Sequence, residues 1–108
     1  MARYMIQASY SNQGLTALIK DPQDRSAAVR QMIEGLGGKL ETFDYAFGDY
    51  DVVAILELPD NVTMMAMSMA IAASGALKSF NTTVLMPMAQ AVEAMRKAST
   101  VGYQAPGR

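Results

Sequence analysis

Proton transfer in this chain would fall to carboxylates and phenols, because its 108 residues include neither histidine nor cysteine. Histidine is the usual general base at neutral pH and the commonest metal ligand, and cysteine supplies thiolates and disulfides. Zinc, haem and serine–histidine chemistry therefore lack their central residue, and no cofactor is expected. The candidates for ligand binding that remain are Gln7, Ser9, Tyr10, Asn12, Asp44, Tyr50, Asp51 and Glu57. Asp44 and Glu57 carry the sharpest chemical possibility. A carboxylate taken out of water by a neighbouring copy needs a partner or keeps its proton, and a raised pKa makes an acid or base without histidine. The plainer reading leaves both solvated, or paired with Lys78, Lys39 or Arg25. Tyr50 and Asp51 sit at the shoulder of a hairpin. Structurally, the tyrosine packs on Phe47 and the aspartate accepts backbone or loop hydrogen bonds. Functionally, Asp51 stands at the mouth of a cavity between sheet and loop. Gly35, Gly37 and Gly38 follow a helix and precede a strand, the reverse of a phosphate loop. No loop carries the ligand spacing of a calcium or magnesium site.

The elements that must position these residues follow from local pattern. Tyr4 to Tyr10 alternates as a first strand. Ser11-Asn12-Gln13-Gly14 is loop chemistry, and Leu15 to Lys20 is a short helical turn. Asp21 is placed to cap a helix opening at Pro22, with Asp24 in its first turn. Val29, Met32, Ile33 and Leu36 share one face of that helix, which leaves through Gly37 in the left-handed conformation. Leu40 to Phe47 and Tyr50 to Leu58 are strand-like runs joined by Gly48-Asp49, which suits a two-residue type II′ turn. That turn fixes the register: Tyr45 opposes Val52, Phe43 opposes Ala54 and Glu41 opposes Leu56, with Thr42 against Ile55 and Asp44 against Val53 on the other face. Asp60 caps a helix from Asn61 to about Gly75. Leu77 to Met86 is a fourth strand, and Pro87 starts a last helix to about Ala98 with Val92 and Met95 as its buried stripe. Residues 1–98 form one domain, and 99–108 form a flexible tail.

This order, strand-helix-strand-strand-helix-strand, predicts an α+β, ferredoxin-like βαββαβ sandwich with an antiparallel sheet, helices on one face and an extra C-terminal helix. The helices are expected on the face carrying Ile6, Ala8, Phe43, Tyr45, Val52, Ala54, Leu56, Phe80 and Val84. The opposite face, with Leu40, Val53 and Ile55 beside Gln7, Asp44 and Glu57, is too apolar for free exposure. A second copy covering it gives a dimeric α/β barrel. The reverse assignment, with the aromatic side as the dimer surface, stays open. In the second long helix, Met65, Met69, Ala72 and Ala76 make one stripe while Met64, Met67 and Ile71 spread apolar surface round the rest, as gap-filling core, interface or both.

Phe47-Gly48-Asp49-Tyr50-Asp51-Val52-Val53, preceded by Gly35-Leu36-Gly37-Gly38-Lys39-Leu40 and followed by Glu57-Leu58-Pro59-Asp60, resembles the GYD-domain family, with Asp49 set between Gly48 and Tyr50. The resemblance runs from about Tyr4 to Ala98. It implies the dimeric α/β barrel fold and no particular activity.

Nine basic residues against ten acidic ones give a net charge of −1 with no basic stripe, so nucleic acid is not an expected partner. The weakly polar run from Val62 to Leu77 is too short for a membrane span, and the opening residues run into a strand without a secretory leader. A cytoplasmic homodimer or larger homo-oligomer is expected, with a small apolar ligand as its other partner. Three functions fit. The first is a binding or sensing module whose barrel encloses the ligand beside Asp44, Glu57 and Tyr10. The second is a cofactor-free isomerase or monooxygenase-like enzyme using a carboxylate, and the third is a structural protein assembling through its methionine-rich helix.

Overall fold

The computed structural model describes residues 1–107. The chain runs β1 (Ala2–Tyr10), α1 (Asn12–Lys20), α2 (Ser26–Gly35), β2 (Lys39–Tyr45), β3 (Val52–Leu58), α3 (Asn61–Ala73), β4 (Leu77–Leu85) and α4 (Met88–Ala98). One antiparallel sheet has the order β2-β3-β1-β4, which makes the fold α+β and ferredoxin-like. Strand β1 pairs on both sides, so its alternation sorts the whole sheet. Tyr4, Ile6 and Ala8 point to the helices and are buried, as are Val52, Ala54, Leu56 and Leu58 of β3. Ile33 of α2 and Met64 and Met67 of α3 close over them to make the core. The expected face is therefore the covered one. Tyr45 and Val84 lie at its margins and stay largely exposed.

The hairpin register holds at Tyr45–Val52, Asp44–Val53, Phe43–Ala54 and Thr42–Ile55. Beyond Thr42 it changes. Glu41 is left without a pairing partner in a β-bulge, so Leu40, not Glu41, opposes Leu56. Leu40 thereby turns from the uncovered face into the core, at 2% exposure. Glu41 instead receives Arg3, whose Nε and Nη2 donate to its two carboxylate oxygens at 2.7 and 3.2 Å. A matching bulge lies in β4. Ser9 pairs with Ser79 and Tyr10 with Leu77, which leaves Lys78 as the extra residue. Both bulges place a charged residue outside the ladder and a leucine toward the helices.

Three local expectations are corrected. Ser11 begins α1 instead of a loop: its Oγ accepts from Gly14 N–H at 3.0 Å. Its hydroxyl also lies 3.0 Å from the Gly75 carbonyl and 3.2 Å from that of Ala76. Asp21 closes α1 and opens no helix; its N–H donates to the Ala17 carbonyl at 3.1 Å, and α2 starts only at Ser26. There Asp24 accepts from Ser26 N–H at 2.8 Å, an Asx-type turn that competes with an earlier helical start. Finally, Val92 and Met95 of α4 are exposed, because α4 extends beyond the sheet without a buried residue.

The strands also stop short of the expected two-residue turn: β2 ends at Tyr45 and β3 begins at Val52, so Gly48-Asp49 lies within a longer loop, 46–51. Gly37 leaves α2 at φ +83°, and Asp60 caps α3, its Oδ1 accepting from the N–H and the hydroxyl of Thr63 at 2.8 and 2.7 Å. These bonds to Thr63, the backbone one foremost, hold the Asp60 carboxyl below its ordinary pKa. The cap therefore stabilises the fold above the ordinary aspartate range and loses that contribution as pH falls through the depressed value. Asp60→Ala is expected to lower stability at neutral pH. Urea unfolding should show the gap to the parent closing as the solution is acidified below about pH 3.9.

Candidate functional site

Between the covered face of the sheet and helices α1, α2 and α3 lies an open groove of about 670 Å³. It exists because small residues face one another. On the sheet, Ala8 sits between Val52 and Phe80, and Ala54 between Ile6 and Phe43. Above them, α1 contributes Gly14, Ala17 and Leu18, and α3 contributes Ala70 and Ile71. Interiors normally close such space to crystal-like density; alanine opposite alanine leaves room.

Helix α1 is held at this groove by a close approach. A Cβ on Gly14 would lie 2.4 Å from the Ala76 carbonyl oxygen, so only glycine lets α1 sit against the start of β4. Ser11 N–H donates to that same carbonyl at 3.0 Å. Leu77, turned inward by the Lys78 bulge, completes this end of the lining.

The lining is mainly apolar; its polar members are Tyr10, Asp21, Gln23, Arg25 and Ser74, with Tyr10 and Arg25 near enough to interact. Tyr10 stacks on Tyr45 with ring centroids 6.3 Å apart and planes 18° from parallel. Burial pushes the Tyr10 phenol above its ordinary pKa, Tyr45 and Asp51 push the same way, and Arg25 opposes them. Tyr10 therefore presents a neutral hydroxyl at physiological pH. Arg25 is exposed and enters no side-chain hydrogen bond or ion pair among the described residues. Among those residues no fully buried side-chain oxygen or nitrogen lacks a partner. Shape and apolar contact would do the binding, with Tyr10 and Arg25 available to a polar end.

The residues singled out from sequence divide across the sheet. Gln7, Asp44 and Glu57 lie on the uncovered face. Gln7 stands between Val53 and Asn81, Asp44 is exposed opposite Val53, and Glu57 sits between Arg3 and Lys39. Ser9 shares that face but is 2% exposed, its hydroxyl donating to the Asp49 carbonyl at 2.8 Å. Tyr10 is on the helix side, so the sheet separates it from Asp44 and Glu57. Asn12 is exposed in the first turn of α1.

Tyr50 and Asp51 serve the fold. The Tyr50 hydroxyl accepts from Asn81 Nδ2, while Phe47, its expected packing partner, is fully exposed. Asp51 fastens the loop to β1: its Oδ2 accepts Tyr10 N–H at 2.9 Å, and its N–H donates to the Ala8 carbonyl at 2.8 Å. Loop 46–51 is thus drawn onto the end of β1, and the hairpin ladder stops at Tyr45–Val52.

Sequence reasoning missed Arg25 and Gln23 as groove residues, along with the small residues that create the space. Gly14, Ala17 and Leu18 at helical spacing were the available signal. Among the described residues no three carboxylates cluster as a metal site, and no helix is long and apolar enough to cross a membrane.

An α+β sandwich with an apolar groove under its helices is the class of protein these features define. The GYD domain pattern matches residues 4–95, and the chain belongs to that family. A comparison with curated proteins finds no match.

The Asp51 bond to Tyr10 sets the groove's polar end. Asp51→Ala leaves a part-buried N–H without its acceptor and is expected to cost roughly 1–3 kcal/mol. Asp51→Asn, which keeps an oxygen there, should recover most of it. Urea unfolding, with hydrogen exchange at the Tyr10 amide, separates the two variants.

Proposed function

We propose that the chain is a self-associating module that binds a small apolar molecule in the groove between sheet and helices. The groove itself carries the reading. Its volume falls in the range of ligand pockets, its lining is mainly apolar, and Tyr10 and Arg25 stand together among its few polar groups. A ligand with an apolar body and a polar or anionic end matches Tyr10 and Arg25. The uncovered sheet face supports self-association: Met5, Val53, Ile55 and Leu85 lie partly exposed along it, rimmed by Gln7, Asn81, Thr83 and Asp44. A second copy covering that face completes a dimer. We place the module in the cytoplasm, since a chain free of cysteine needs no oxidising compartment.

An enzyme using Asp44 or Glu57 has less support, because neither carboxylate faces the groove and Glu57 lies beside Arg3. A structural role draws on one observation: α3 has no charged residue, and Val62, Met65 and Met69 are exposed on it. That surface suits a contact between copies and is compatible with ligand binding.

The anionic, apolar dye anilinonaphthalene sulfonate tests the groove. It is expected to bind with a blue-shifted, saturable signal at one dye per chain. Ala17→Phe, on the exposed rim, should weaken binding about tenfold or more, a loss of roughly 1.4 kcal/mol. Met65→Asp, on the outside of α3, should leave it unchanged. Equal dye affinity in a folded Ala17→Phe variant would remove the groove as the site.

A further inference from the structure

Helix α4 buries none of its side chains against the rest of its chain. No residue of α4 is buried, with Met88 at 73%, Val92 at 38% and Met95 at 62% exposure, and Val101 and Tyr103 beyond it are exposed as well. Yet α4 is cleanly two-sided. Met88, Ala91, Val92 and Met95 form one stripe, while Gln90, Glu93 and Lys97 occupy the opposite side and Arg96 flanks the stripe. An eleven-residue helix without a partner is marginal in water, so this stripe has to be covered for α4 to persist.

The size of the unpaired surface points to what covers it. The radius of gyration is 17.7 Å, against about 13 Å for a compact chain of this length, and the longest dimension is 59 Å. The accessible surface is 7737 Å². A folded monomer of 11.6 kDa would expose about 5,800 Å². The excess, roughly 1,900 Å², is more than the ~800 Å² that each partner contributes to a stable interface of standard size.

The complement is present on the same chain. The uncovered sheet face has its apolar centre at Met5, Ile55 and Leu85, and β4 passes into α4 through Pro87, which is in extended backbone. Within one chain the two surfaces do not meet. In a two-fold pair, each arm can reach the sheet of the other copy, and both surfaces are covered at once.

We infer that α4 is an arm exchanged between two copies, laying Met88, Val92 and Met95 against the uncovered sheet face of the partner. The inference rests on the self-association proposed above and is independent of the ligand. It is tested on the full chain with the double variant Val92→Asp/Met95→Asp, by sedimentation and by hydrogen exchange across a concentration series. The fold of the variant is checked by protection of β1 and β3, whose amides are hydrogen-bonded within the sheet.

The parent is expected to self-associate, with α4 amides protected in the assembled form. The variant should show a dissociation constant raised about a hundredfold or more and lose α4 protection while β1 and β3 keep theirs. Ile55→Asp, on the receiving face, should give the same two changes. A parent that stays monomeric at every concentration overturns both the arm and self-association. A parent that assembles, with a variant of unchanged mass and affinity, overturns the arm alone and leaves face-to-face pairing standing.

Discussion

The pleat of β1 is the constraint on which the rest of the molecule depends. Because β1 hydrogen-bonds to β3 on one side and β4 on the other, the parity of its residues decides what every strand shows to the helices. Tyr4, Ile6, Ala8 and Tyr10 look one way, and Arg3, Met5, Gln7 and Ser9 the other. A slip of one residue would exchange the faces wholesale and send Tyr4 into solvent. Tyr4 shows how firmly the parity is held: its ring is buried, and its hydroxyl donates to Asn61 Oδ1 at 2.6 Å, joining the central strand to the start of α3. Burial, with a smaller contribution from Asp60, keeps that phenol above its ordinary pKa and uncharged.

Where the period of two is broken, it is broken to the same end. The bulges at Glu41 and Lys78 each hold a charged residue outside the ladder and rotate a neighbouring leucine inward. Leu40 goes to the core beside Ile33 and Leu56, and Leu77 goes to the groove. Bulges on the outer strands β2 and β4 also make those edges poorer templates for unwanted pairing. The groove thus results from two settings: alanines at the centre of the sheet, which leave space, and leucines turned in from its edges, which line it with apolar surface. Asp51 then ties the hairpin loop to β1 and fixes Tyr10 at the polar end.

Much of this was legible in the sequence, for identifiable reasons. Asp60 before a long apolar run, Pro87 at a helix start and Gly37 after α2 are local signals acting over three or four residues, and the structure honours them. The hairpin register followed from an even count across Gly48-Asp49 and held for four successive pairs. What failed was set by partners distant in sequence. Ser11 reads as a loop residue until Gly75 and Ala76 arrive beside it. A bulge adds one residue and leaves no local signature. The groove needs small residues from α1, α3 and the sheet together, and none is unusual in its own segment. The stripe at Val92 and Met95 was expected to be buried and is exposed, since periodicity reports which residues share a face and not what covers it.

The central claim is that the groove holds a small organic molecule in the assembled protein, and native mass spectrometry of freshly purified chain addresses it most directly. The account predicts an even-numbered assembly in which every subunit carries the same added mass, released on collisional activation. Assembled protein whose subunits all weigh no more than the bare chain, and which takes up no apolar compound when incubated with one, would contradict it.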